Sequence, residues 1–362
     1  MTNAHPPITR NAFLKGASLT TLAGILAACS TGSNDSASSS SSPAVSAESG
    51  AFPVTIKSEF GETKIESVPT KIAVVQAWKN ADALLSFGVV PAGIPNVSWG
   101  ENSNKSTDWF DDKLKALGKS LEDITRYDES NNGPNYDALA KLGPDVIFTP
   151  YGQMDQETYD KLTKIAPVVT APEGDKSYEA SWQHVVEQAG KMLGRPQEAK
   201  KIITDTEKTV KDAAAKYTEL ADATFIAGYF DVEKKTLGAY TAKDSRPQAF
   251  VDFGMKEAPY VSEHSKDASS VFLDISSEEL DKVECDALWA WVNDPADVDK
   301  IKNDSLFSQM PAVKNNATVF ASNKQIGLAL SAASTLSLPW VLEKTTLLEE
   351  LEVAVNNTKN AK

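Results

Sequence analysis

The sequence predicts an α/β protein of two three-layer lobes joined by a single long α-helix, with a ligand cleft between the lobes. Three observations carry this. Short β-branched runs alternate with amphipathic stretches in both halves of the chain. One unbroken helical pattern, Gln197 to about Leu220, separates those halves. The chain has 362 residues, more than one core of roughly 250–300 residues usually holds.

In the first half, alternating Phe52, Val54 and Ile56, the turn Glu59-Phe60-Gly61-Glu62 and a return through Thr63 and Ile65 predict a β-hairpin. Lys71 to Val75 reads as a buried parallel strand, and Asn80 caps a helix with Ala83, Leu84 and Phe87 on one face and Gly88 as its stop. Val89 to Ile94 returns as a strand. The pattern resumes with helix 138–142 into strand 145–148, then helix 159–165 into strand 168–169. Crossover helices between such runs imply a parallel sheet. Tyr178 to Leu193 reads as a helix stopped by Gly194, and Pro196 suits the first turn of the long helix. At 1.5 Å per residue that helix spans roughly 35 Å. The second half predicts strands at Thr224–Phe230, Thr236–Tyr240, Ala287–Val292 and Ala317–Ala321. It also predicts a helix from Arg246 to Gly254, a helical turn at Glu278–Val283 and a closing helix over Leu338–Val355. The lobes are therefore expected at 51–195 and 221–362, with the spacer at 196–220.

Residues 1–28 carry Arg10 and Lys15, no acid, and the apolar run Ala17–Ala28, which is too short to span a membrane. The run ends in Leu26-Ala27-Ala28-Cys29, similar to a bacterial lipobox, in which the Cys thiol is acylated and becomes the mature N-terminus. Two acyl chains anchor stably where one is marginal. Thr9 to Lys15 resembles a twin-arginine signal with Asn11 at its second Arg, which leaves the export route open. Residues 29–50, Ser-rich and almost without large apolar side chains, read as a disordered tether. The expected location is the outer face of the cell membrane.

Lys and Arg total 36 against 50 Asp and Glu, a net charge of −14, so nucleic acid is excluded as a partner by repulsion. No G-x-S-x-G elbow, H-E-x-x-H or P-loop occurs, and the reading is non-enzymatic. After cleavage only His184 and His264 remain, which leaves no imidazole cluster for a metal. Cys285, alone once Cys29 is acylated, reads as a buried inert thiol.

Aromatic and basic residues near strand ends are the stronger signal, because ligands of open α/β sheets sit beyond the carboxyl ends of strands. Trp78, Tyr151, Tyr229 and Trp291 lie at or just past such ends, and Tyr240 closes another predicted strand. Trp99 and Trp109 lie in the polar stretch 96–132. Arg126 and Arg246 are two of the three arginines of the mature chain. Together these predict a pocket walled by aromatics from both lobes with one or two guanidinium groups.

The stretches Val74–Asp82, Leu84–Pro91, Asn135–Ile147, Leu162–Val169, Gly228–Phe230 and Asp274–Glu278, in this order behind a lipobox, resemble the iron-siderophore solute-binding lipoproteins of ABC importers. The resemblance covers about 300 residues, from Phe52 to the C-terminal helix. It implies capture of a ferric siderophore between the lobes and delivery to a permease and its ATPase, by a monomer without a resident cofactor, since the siderophore supplies the iron's ligands. It also implies permease docking through one acid per lobe, here Asp137, where most relatives have Glu, and Glu278. The few arginines lean toward a hydroxamate or mixed chelate. Two other classes stay open: the same scaffold binding heme or cobalamin, with Tyr151, Tyr229 and Tyr240 as possible heme ligands, and a non-transport cell-envelope lipoprotein.

Overall fold

The computed structural model describes residues 46–76, 78–129, 133–176, 178–266 and 270–362, with the Trp78 side chain outside that description. The signal segment, Cys29 and most of the tether also lie outside the described residues. The folded body reaches back to Glu48. Its N–H donates to the Gly194 carbonyl, and its carboxylate accepts the Gln197 N–H at 2.8 Å, supplying one of the orphan donors at a helix start.

The hairpin pairs β1 (Val54–Ser58) with β2 (Gly61–Ile65). The first lobe is built on β3 (Ile72–Val74), β4 (Gly93–Pro95), β5 (Thr125–Tyr127), β6 (Val146–Thr149) and β7 (Val168–Thr170). These are all parallel, in the order β5-β4-β3-β6-β7. β3, β6 and β7 are buried throughout, as a sheet covered on both faces requires.

The second lobe holds β8 (Thr224–Asp231), β9 (Thr236–Tyr240), β10 (Lys256–Glu257), β11 (Phe272–Ser276), β12 (Ala287–Trp291) and β13 (Thr318–Ala321). Its order is β11-β9-β8-β12-β13, with β10 on the start of β8. The sheet is mixed. β8, β12 and β13 run parallel, whereas β9 folds back on β8 and β11 on β9.

The long helix runs Pro196–Ala214 and stops short of the expected Leu220. Its buried stripe of Ala199, Thr206, Val210 and Ala214 ends there, and a separate 3-10 turn, Thr218–Leu220, buries Leu220. The closing helix is also divided, into Ser337–Lys344 and Leu347–Ala361. At the break Thr345 is extended and its hydroxyl donates to the Val341 carbonyl, a side-chain competitor for the helix ladder.

The helix Trp78–Ser86 runs along the seam between the lobes. Lys79, Asp82 and Ser86 share a face at i, i+3 and i+7 and bond to residues of the second lobe. Lys79 Nζ donates to Ser245 Oγ at 2.8 Å, Asp82 accepts the Ser334 hydroxyl, and Ser86 Oγ lies 2.6 Å from Thr335 Oγ1. Asp82 also accepts Trp109 Nε1 at 2.8 Å. Trp109 is therefore a core residue of the seam rather than of an open loop.

Candidate functional site

The strand order of the first lobe reverses between β3 and β6, because the chain moves outward one way to β4 and β5 and the other way to β6 and β7. Such a switch point leaves a crevice beyond the carboxyl ends of the two strands. Here Asn80 ties its sides together: its amide donates to the Tyr151 carbonyl at 2.7 Å and accepts the Tyr151 N–H at 3.0 Å. Gln76, in the left-handed region at φ 60°, turns the chain out of β3. Its side chain donates to the Tyr178 hydroxyl at 3.2 Å, and Tyr178 meets Tyr151 edge-on at 5.5 Å.

The second lobe carries a row of aromatics set by strand register. Trp291 on β12 is the register partner of Tyr229 on β8. Tyr229 pairs with Gly238 on β9; two residues on, Tyr240 pairs with Phe272 on β11. Register partners share a sheet face, so four aromatics stand side by side on one face of four adjacent strands. The ring contacts agree: Tyr229–Tyr240 at 6.1 Å, Tyr229–Phe272 at 5.6 Å and Tyr240–Phe272 at 5.1 Å. Gly238 is required beneath this row, because a Cβ there would lie 2.3 Å from the Tyr229 ring.

Arg246 lies over the Tyr240 ring, 3.5 Å from its centroid. Asp244 caps the helix Ser245–Asp252 by accepting the Arg246 N–H, and it also accepts Nε and Nη2 of the same guanidinium at 2.7 Å each. Burial works against the Arg246 charge, but the Asp244 bonds and charge prevail and its pKa is raised. The lobes close on one another where Ser245 Oγ meets the Tyr151 hydroxyl at 3.4 Å. The Lys79 ammonium sits 4.0 Å from the Tyr151 ring centroid and donates to the Ala180 carbonyl at 3.2 Å. Burial pulls Lys79 down to about 7, against the opposing charges of Asp244 and Asp252. Burial also raises Tyr151 and Tyr240. Tyr151 is 4% and Tyr240 6% exposed, while Tyr178, Tyr229 and Arg246 are half-buried.

Of the residues expected at the site, the structure brings together Tyr151, Tyr229, Tyr240, Arg246 and Trp291. Trp99 joins from the first lobe: it is 38% exposed and edge-on to Trp291 at 5.3 Å. Gly327 makes room for this pair, since a Cβ there would stand 3.0 Å from Trp99 and 3.1 Å from Trp291. Trp78 opens its helix at the crevice, but its side chain lies outside the described residues.

Arg126 is placed elsewhere. On edge strand β5 it donates through Nη2 to the Lys105 carbonyl, between Asp111 and Asp128, so it secures the loop carrying Trp99 and is not joined to the aromatic row. Asp137, in the first turn of Tyr136–Leu142, and Glu278 are both exposed. Cys285 is buried and its thiol is pushed up to about 12 by burial.

Lys79, Tyr178, Asp244 and Phe272 were missed. Lys79 carried one usable signal, its place just after a predicted strand; the others depend on pairings no local pattern reveals. Among the described residues no group of three or more His, Cys, Asp or Glu could hold a metal, and no helix is long and apolar enough to cross a membrane. The site offers ring faces, one guanidinium and phenol hydroxyls, a set that covers and hydrogen-bonds an oxygen-rich ligand, with the buried Lys79 ammonium bracing Tyr151 from inside.

Residues 74–324 match the periplasmic binding protein family. Among curated proteins, the chain is 29% identical over 201 residues to the probable siderophore-binding lipoprotein YfiY of Bacillus subtilis, covering 55% of this chain and 54% of that one. It is 25% identical over 270 residues to the iron(3+)-hydroxamate-binding protein YxeB of the same organism, covering 72% and 75%. The chain thus spans about half the length of YfiY and three quarters of YxeB. Among solved structures, PiaA of Streptococcus pneumoniae in complex with ferrichrome superposes with a TM-score of 0.75 at 25% identity, covering 84% of this chain and 99% of that one. The sheet order, the two lobes around a spacer helix and a family match across most of its length agree: the chain belongs to the periplasmic binding protein family.

Proposed function

We propose that this chain is the extracytoplasmic binding component of an ABC importer, anchored through lipidated Cys29, which takes a ferric siderophore between its lobes and delivers it to a permease. One observation carries the reading: the aromatic row of Trp291, Tyr229, Tyr240 and Phe272, with Arg246 over Tyr240, belongs to the lobe whose Ser245 meets Tyr151 at the switch point of the other. Rings cover the organic shell of a chelate, and the guanidinium meets its iron-bound oxygens. No covalent step is involved, and iron is cargo held by the siderophore. Asp137 and Glu278, exposed and one on each lobe, are the proposed permease contacts of a monomer.

The charge balance favours a hydroxamate. A ferric trishydroxamate core is neutral, whereas a ferric triscatecholate carries three negative charges. Arg246 is already neutralised by Asp244, and Lys79, at about 7, is only partly charged at neutral pH. The names of two relatives support the same class, since YxeB is described as hydroxamate-binding and PiaA was solved with ferrichrome, itself a trishydroxamate.

The test is a binding panel read by intrinsic tryptophan fluorescence: ferrichrome, ferrioxamine B, a ferric triscatecholate, the iron-free chelators, heme and cobalamin. Ferric hydroxamates are expected to bind saturably, with the triscatecholate at least about tenfold weaker, a difference of ~1.4 kcal/mol. Tighter triscatecholate binding overturns the hydroxamate preference. Binding of heme or cobalamin alone moves the scaffold to another ligand, and a silent panel removes the transport reading.

A further inference from the structure

At the carboxyl ends of β3 and β5, Glu129 reaches over the turn out of β3, and its Oε1 accepts the Gln76 N–H at 3.3 Å. Gln76 in turn holds the Tyr178 hydroxyl, so this carboxyl sits on the same rim as Tyr178 and Tyr151. No Lys, Arg or His pairs with Glu129 among the described residues. Its charge is opposed chiefly by burial, which raises it to about 7 against the Gln76 bond. An uncompensated, largely desolvated carboxyl costs stability. Such groups concentrate where a ligand supplies the missing partner.

Resting on the siderophore reading, the geometry points to Glu129 as a charge-selecting residue that receives a cationic amine arm of the ferric chelate. The partner class is a ferric hydroxamate with a protonated amine outside the iron-binding groups, held against the first-lobe rim while the second-lobe aromatics cover the chelate.

The experiment compares ferrioxamine B, which carries a free protonated amine, with its N-acetyl derivative, which has the same hydroxamates and no charge. Both are titrated at pH 8 into the wild-type protein and Glu129→Gln. Gln retains an acceptor for the Gln76 N–H, and thermal melting checks that the variant is folded. Wild type is expected to favour the free amine about tenfold, as a charge-assisted hydrogen bond would give. Glu129→Gln is expected to cut that preference to about twofold or less, with acetylated-ligand affinity nearly unchanged. Equal wild-type affinities, or a preference that survives in Glu129→Gln, overturn this inference alone. If wild type binds neither complex, this inference falls with the siderophore reading.

Discussion

Arg246→Ala is expected to weaken binding of a ferric trishydroxamate by about 10- to 100-fold, as loss of a charge-assisted hydrogen bond of ~1.5–3 kcal/mol predicts. The guanidinium is held ready: Asp244 grips two of its nitrogens and the Tyr240 face supports it from below. Ligand binding then needs little further side-chain ordering. Removing the guanidinium also leaves Asp244 unpaired beside the ligand, which adds to the loss. Arg246→Lys keeps the charge but not the planar fork, so its affinity should fall between those of wild type and Arg246→Ala. Calorimetric titration of the three proteins, with melting curves as the control for folding, decides this. Unchanged affinity in Arg246→Ala would remove the residue from the site.

The second large effect concerns the seam. Asp82 is 1% exposed, and burial raises its pKa to about 7 although the Ser334 hydroxyl and the Trp109 indole both act to lower it. A carboxyl raised in the folded state contributes stability that is fully present below its unfolded pKa, near 4, and is lost as pH rises through 7. Asp82→Asn keeps an oxygen to accept both bonds and cannot ionise. Its stability relative to wild type should therefore improve by about 2–3 kcal/mol between pH 5 and pH 8.5. Lys79 titrates in the opposite sense: its depressed pKa contributes stability that is full above its unfolded value and lost as pH falls through 7. It is present in both proteins and largely cancels in the comparison. Urea melts across that range provide the measurement, and a difference independent of pH would show that folding does not raise the Asp82 pKa.

What could be read from the sequence follows what local patterns encode. β3, β6 and β12 are short runs buried along their whole length, and such runs identify themselves. Tyr151, Tyr229 and Trp291 stood out because they end or follow such runs. Their assembly into a row was not legible, because it depends on β9 and β11 turning antiparallel and on a register across four strands. Phe272 lies on β11, whose pairing is long-range and leaves no periodic trace.

Lysine in a helix reads as surface; Lys79 is buried only because Ser245 and Ala180 close over it from distant parts of the chain. Trp109 was read as lying in a polar stretch. Thr107 caps a short helix there, and Trp109, Phe110 and Leu114 turn inward among charged neighbours. Arg126 illustrates the converse. A rare arginine in a polar stretch suggests a ligand contact, and in the structure its Nη2 donates to the Lys105 carbonyl.

The most direct measurement is the position of the iron itself. Crystals grown with ferrichrome and measured at the iron absorption edge should show one anomalous peak between the two lobes, flanked by Tyr151 of the first and by Arg246 and Tyr229 of the second. A peak anywhere else, such as the groove of about 510 Å³ between β13 and the Leu347–Ala361 helix, or an empty crevice at saturating ligand, would contradict the account.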